Sequence, residues 1–186
     1  KVFPAAAIQD GYRLGLRHFG ENYVQEFEGK AAAVKELRDA VFHLIGRLQS
    51  NKAARACELF DSIQTVDSPK LARRLADCEK PLDVMIEVKL SEEESKHGAD
   101  PAQLGDLIGN IREHPNLRLL GLMTMPPWSE DVETSRPYFR QLRELAGLHG
   151  LSGLSMGMSH DFEVAIEEGS THIRVGTALF GRRQRK

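Results

Sequence analysis

Residues 62–88 read SIQTVDSPKLARRLADCEKPLDVMIEV. The first five residues, Ser62-Ile63-Gln64-Thr65-Val66, are strand-like and end at the turn formers Asp67, Ser68 and Pro69. Pro69 to Ala76 has helical period, and Leu82 to Val88 is a short, nearly continuous apolar run, the mark of a strand buried on both faces. Strand, helix and strand in so short a span make one βα unit of a parallel sheet. The same alternation extends outward in both directions. Upstream lie a helix over 4–16, a strand at 17–19, a helix over 23–37, a strand at 41–45 and a short helix at 51–57. Downstream come a helix over 101–111, a strand at 117–122, a loop at 127–134, a helix over 135–148, a strand at 154–157, a helix at 161–168 and a last strand at 172–175.

Seven strands are expected in all. A (β/α)8 TIM barrel needs eight, so the first helix and strand are expected upstream of Lys1. On this reading Lys1 is the last residue of the barrel's first strand, at the C-terminal face where such folds keep their chemistry. The composition agrees with one globular α/β domain over 1–186. The chain is 41% hydrophobic and 28% charged, which excludes a disordered protein. No apolar run reaches the ~20 residues of a membrane span. The net charge of −2 argues against a general nucleic-acid binder. Cys57 and Cys78 lack any metal-binding or redox spacing and read as reduced thiols of a cytoplasmic protein.

Polar residues and glycines gather at the strand ends: Lys1, Asn22, His43, Gly46, Met123, Ser159, Arg174, Gly176 and Thr177. Barrels of this kind favour the loops after strands seven and eight for phosphate, here Gly157-Met158-Ser159 and Gly176-Thr177-Ala178. The competing reading makes Ser159 a simple cap of the helix that follows, and from the residues alone the cap is favoured. His43 reads first as a hydrogen-bonded core or rim histidine. The seven histidines show no H-x-x-x-H pattern, so no metal site is expected. Ser159-His160-Asp161 holds triad residue types, but not the spacing of a nucleophile elbow.

Lys1-x-x-Pro4, FGENYVQE at 19–26, FHLIGRLQSNK at 42–52, GLMTMP at 121–126, LSMGMSHDFEVAIEEGS at 154–170 and IRVGTALFG at 173–181 together resemble the pyridoxal phosphate homeostasis protein family. These are single-domain relatives of the alanine racemase barrel. The resemblance implies a fold-type III barrel holding pyridoxal 5′-phosphate as a Schiff base on Lys1. It places the phosphate around Ser159, Gly176 and Thr177, and Arg174 beside the ring nitrogen or phosphate. Asn22, His43 and Met123 would line the pocket. Three residues depart from the family's pattern: Arg47 for a frequent Pro, Lys89 for a usual Asn and His160 for a common Asp.

The resemblance also implies a role. An Arg facing the pyridine nitrogen disfavours its protonation and weakens the ring as an electron sink. Racemisation needs a second acid–base group, in alanine racemases a tyrosine from a separate β-domain, and none is expected in a sequence that runs to Lys186. The expectation is therefore a non-catalytic carrier that maintains pyridoxal phosphate and amino-acid homeostasis. Its expected partners are the cofactor and apo forms of pyridoxal phosphate enzymes, and its expected state is a monomer or weak dimer. A fold-type III amino-acid racemase is the alternative, and a phosphate-sugar barrel enzyme without a Schiff base stands third.

Overall fold

The computed structural model describes residues 3–91, 93 and 97–181. Lys1 therefore lies outside the described residues, as do two members of the acidic run 92–94 and the basic tail at 182–186. Seven strands lie side by side in chain order: β1 (His18–Glu21), β2 (Val41–Leu44), β3 (Ser62–Val66), β4 (Leu82–Glu87), β5 (Leu117–Met123), β6 (Gly153–Met158) and β7 (His172–Arg174). Every neighbouring pair is parallel. The helices are α1 (Ala5–Arg13), α2 (Val24–Val34), α3 (Ala53–Leu59), α4 (Pro69–Ala76), α5 (Leu104–Arg112), α6 (Arg136–Leu148), α7 (Phe162–Glu167) and α8 (Thr177–Phe180). Parallel strands in sequential order, each followed by a helix, are the TIM-barrel arrangement. The sheet curls far enough for Ser155 of β6 to reach Gln64 of β3 across its concave side, 2.7 Å away.

The strand β3 and the helix α4 fall where the sequence puts them. Ser68 accepts the Leu71 N–H at 3.4 Å, and Pro69 occupies the first turn, where no N–H is needed. Other boundaries differ by a turn. The helix expected over 51–57 begins as a 3₁₀ turn, Ser50–Lys52, and α3 then runs on to Leu59. Likewise Pro101–Gln103 is a 3₁₀ turn, in which Asp100 accepts the Ala102 N–H before α5 starts. α1 stops at Arg13 because Gly15 turns the chain with φ of 101°.

The two faces of the sheet bury different chemistry. Leu82, Val84 and Ile86 of β4 point outward and pack with Leu71 and Leu75 of α4 and with Leu104, Ile108 and Ile111 of α5, all buried. Phe27, Phe42 and Phe60 extend this shell, with ring centroids 4.6 and 4.9 Å apart. Residues of the opposite parity face the lumen, and many are polar: His18, His43, Gln64, Glu87, Ser155 and Arg174. Between β5 and β6 the strands approach so closely that a Cβ on Gly121 would lie 1.9 Å from the Gly153 carbonyl oxygen. Only glycine fits there.

Candidate functional site

The C-terminal ends of the strands carry the site. Gly157, with φ of 90°, bends the chain in the last residues of β6. A Cβ there would strike Ala165 of α7 at 2.5 Å, so the turn and the close helix both require glycine. Asp161 then pins the loop twice. Its Oδ1 accepts the Met158 N–H at 2.8 Å, and its Oδ2 accepts the Ser135 hydroxyl at 2.9 Å.

This pinning aims Ser159 across to the next loop. Its Oγ accepts the N–H of Gly176 at 3.0 Å and of Ala178 at 3.3 Å. Ser159 thus bridges to α8 and does not cap α7, so the simple-cap reading fails. The Gly157–Ser159 and Gly176–Ala178 loops converge, joined by these two bonds. Both N–H groups are taken up by the Ser159 oxygen, and an oxyanion that displaced it would meet these two donors together with the hydroxyl proton in one cradle. A Cβ on Gly176 would meet nothing within 4 Å, which leaves the approach open.

Arg174, the last residue of β7, stands beside this cradle. Its Nη1 donates to Ser155 Oγ at 2.7 Å and its Nη2 to the Thr124 carbonyl at 2.9 Å. Burial lowers its pKa to about 10, with Glu87 and Asp161 acting in the opposite sense, so the guanidinium remains charged at neutral pH. Met123 ends β5 next to Thr124, is fully buried, and fixes β4 by accepting the Val88 N–H at 2.8 Å.

His43 sits deeper in the lumen, between His18 Nδ1 at 2.9 Å from its Nε2 and Gln64 Nε2 at 3.2 Å from its Nδ1. Burial, with His18 and His172 nearby, pushes its pKa down to about 4. It is a hydrogen-bonded, neutral lumen histidine. Asn22 lies at the end of β1, where its carbonyl packs on Gly46 so tightly that a Cβ on Gly46 would be 2.1 Å away. Among the described residues no hydrogen bond joins Asn22 to the other candidates. Thr177 opens α8 beside Gly176. The structure therefore joins Ser159 to Gly176 and Ala178 on either side of Thr177, sets Arg174 against Thr124 next to Met123, and packs Asn22 on Gly46.

Four participants escaped the sequence reading: Thr124, Ser155, Gln64 and His18. Each is a polar residue in or just after a strand, on the face opposite the apolar shell, and that alternation was the available signal. The departures Arg47 and His160 acquire partners. Arg47 Nη1 donates to His97 Nε2 at 2.9 Å, beside Lys89 in a cleft of about 90 Å³. His160 Nε2 lies 3.1 and 3.2 Å from the Ser129 and Glu130 carbonyls, and its ring stacks on the exposed Trp128.

Known proteins resemble the chain over nearly its full length. The profile of the family described as alanine racemase, N-terminal domain, matches residues 4–184. The pyridoxal phosphate homeostasis protein of Aquifex aeolicus is 46% identical over 194 aligned positions, covering 99% of this chain and 85% of that protein. The protein of the same name from Escherichia coli K12 is 42% identical, covering 98% and 83%. The structure of PipY of Synechococcus elongatus PCC7942 with PLP bound superposes with a TM-score of 0.88 at 41% identity, covering 96% of this chain and 88% of that one. An alanine racemase of Clostridium difficile 630 shares the fold alone, with a TM-score of 0.75 at 10% identity over 98% of this chain and 49% of that one. With this fold and these relatives, the chain belongs to the alanine racemase N-terminal-domain family, among its pyridoxal phosphate homeostasis proteins.

Proposed function

We propose that this chain is a carrier of pyridoxal 5′-phosphate, serving cofactor and amino-acid homeostasis without turnover of its own. The observation that carries the reading is the cradle at Ser159, Gly176 and Ala178 with Arg174 held beside it. Ser159 can give up its two N–H groups to a phosphate and donate its own hydroxyl proton to it, and the buried cation suits an electron-rich ring nitrogen or a phosphate oxygen. The residues present fit the cofactor. Ser159, Gly176 and Thr177 would hold its phosphate, Arg174 its ring nitrogen or phosphate edge, and Asn22, His43 and Met123 would line the pocket. Lys1 would supply the amine of the Schiff base. When bound, the cofactor supplies an electrophilic aldehyde and a conjugated ring.

The chain's own groups favour holding over reacting. Arg174 stays protonated at neutral pH, so a ring nitrogen facing it would stay unprotonated and draw electrons weakly. His43 is neutral and already bonded on both ring nitrogens, which leaves it no free site for moving a substrate proton. Two unbridged thiols, Cys57 and Cys78, support a cytoplasmic setting. In that setting the partners would be apo forms of pyridoxal phosphate enzymes, met by a single-domain monomer or weak dimer.

The test separates phosphate recognition from general aldehyde capture. Ser159→Ala is expected to weaken pyridoxal phosphate binding about tenfold and to leave pyridoxal binding unchanged. Equal losses for both ligands would overturn the cradle's role. Incubating the loaded protein in deuterated water with L- and D-amino acids is expected to show no Cα exchange above free cofactor. Fast exchange with any one amino acid would make it an enzyme.

A further inference from the structure

Five lumen side chains from five strands form one chain of hydrogen bonds. Arg174 Nη1 donates to Ser155 Oγ at 2.7 Å, and Ser155 Oγ donates to Gln64 Oε1 at 2.7 Å. Gln64 Nε2 lies 3.2 Å from His43 Nδ1, and His43 Nε2 lies 2.9 Å from His18 Nδ1. The Ser155–Gln64 step crosses the lumen from β6 to β3, between residues 91 positions apart.

Chemistry fixes the direction of this chain. Ser155 is fully buried and accepts from a guanidinium, which can only donate, so its own proton must go elsewhere. The acceptor in reach is Gln64 Oε1. Turning the Gln64 amide over would leave that proton buried without a partner, which is unfavourable. With the amide oxygen so committed, Gln64 Nε2 must donate to His43 Nδ1. His43 then carries its proton on Nε2 and donates to His18 Nδ1. All four bonds run one way, from the cation at the mouth to the imidazole at the far side. The depressed pKa of His43 accords with an Nδ1 that accepts.

We propose that Gln64 and Ser155 are positioning residues that hold the Arg174 guanidinium in place for the bound cofactor through this one-way chain. The inference rests on the cofactor reading above for its purpose, but not for its geometry. Beside the attraction of Glu87 and Asp161, which has no fixed direction, Arg174 has one other described hydrogen bond, to the Thr124 carbonyl, and a single directional bond leaves a planar fork free to turn about it. The second anchor comes from Ser155, whose lone pair faces Arg174 only while Gln64 takes its proton.

Gln64→Met keeps the side chain's length and removes both its donor and acceptor. Gln64→Glu keeps the acceptor toward Ser155. In nitrogen–proton spectra of the chain, the Arg174 guanidinium signals are expected to be slowly exchanging in the wild type and averaged by exchange in Gln64→Met. Pyridoxal phosphate binding, followed by absorbance, is expected to weaken about tenfold in Gln64→Met, with the bound band displaced, and at most about threefold in Gln64→Glu. Ser155→Ala deletes one oxygen, carries the expectation of Gln64→Met, and replaces it if that variant does not fold. Unchanged Arg174 signals and unchanged binding in Gln64→Met or Ser155→Ala would overturn the proposal. If the wild type takes up no pyridoxal phosphate, the cofactor reading fails by itself. The Arg174 signals then decide the positioning claim, averaged in the variant supporting it and alike in both overturning it.

Discussion

The shell between sheet and helices and the lumen inside the sheet are built on the same strands from opposite principles. The shell is aliphatic and aromatic, non-directional, and close-packed: Leu82, Val84 and Ile86 meet α4 and α5, and Phe27, Phe42 and Phe60 fill the side of α2 and α3. The lumen is polar and directional, with Arg174, Ser155, Gln64, His43 and His18 joined by their donors and acceptors. A TIM barrel's interior is more often filled with branched aliphatics. Here the fold's stability is concentrated outside the sheet, which leaves the inside free to be specified by a ligand's needs. A fault in the shell should therefore cost stability, and a fault in the lumen should cost binding.

The largest effect is expected where the two principles meet, at the β5–β6 contact. Gly121→Ala would drive a methyl into the Gly153 backbone and should cost about 3 kcal/mol or more, or prevent folding, by denaturant titration. A tolerated substitution there would mean that the strands can part cheaply. Phe60→Ala in the shell should cost about 3–5 kcal/mol by the same measurement, with any bound-cofactor spectrum unchanged.

A pH titration of stability probes the lumen instead. His43 has a folded pKa of about 4 against 6.5 for a free histidine, so the unfolded chain binds the extra proton first. Stability from this group is complete above pH 6.5 and is lost as pH falls toward 4, by on the order of 2–3 kcal/mol. His172, lowered by burial and by His18, adds a change of the same sign. Asp61 and Asp83 pull His43 the other way. His43→Gln should flatten the profile between pH 4 and 6.5. A variant with the wild-type slope would assign the acid sensitivity elsewhere. The smallest effect is expected at the rim, where Trp128 is exposed: Trp128→Ala should stay within about 0.5 kcal/mol of wild type.

The shell was legible in the sequence and the lumen was not, for a physical reason. Burial on both faces writes itself as a run such as LDVMIEV, and a capped helix writes itself as Ser68-Pro69, so β3, α4 and β4 could be drawn to within a residue. The strand-end residues of the cradle were legible too, through barrel architecture and family resemblance. Ser159 shows the limit. Its residue type favours a cap, and only the position of Gly176, seventeen residues on, shows that it bridges to the next loop instead. Gln64 and Ser155 show it more sharply. Strand alternation says which way each points, but a hydrogen bond across the lumen depends on how the sheet curls, which no local pattern carries. The 3₁₀ entries to α3 and α5 are also set by local capping geometry that helical periodicity cannot see.

The central claim is that the mouth of this polar lumen holds one pyridoxal phosphate, anchored on Lys1. Saturating the chain with the cofactor, reducing with borohydride and mapping the labelled peptides tests it most directly. One cofactor per chain is expected, carried by the peptide that contains Lys1, with no stoichiometric label in Lys1→Ala. Stoichiometric labelling at any other lysine, or a Lys1→Ala variant that traps the cofactor as fully as the wild type, would contradict it.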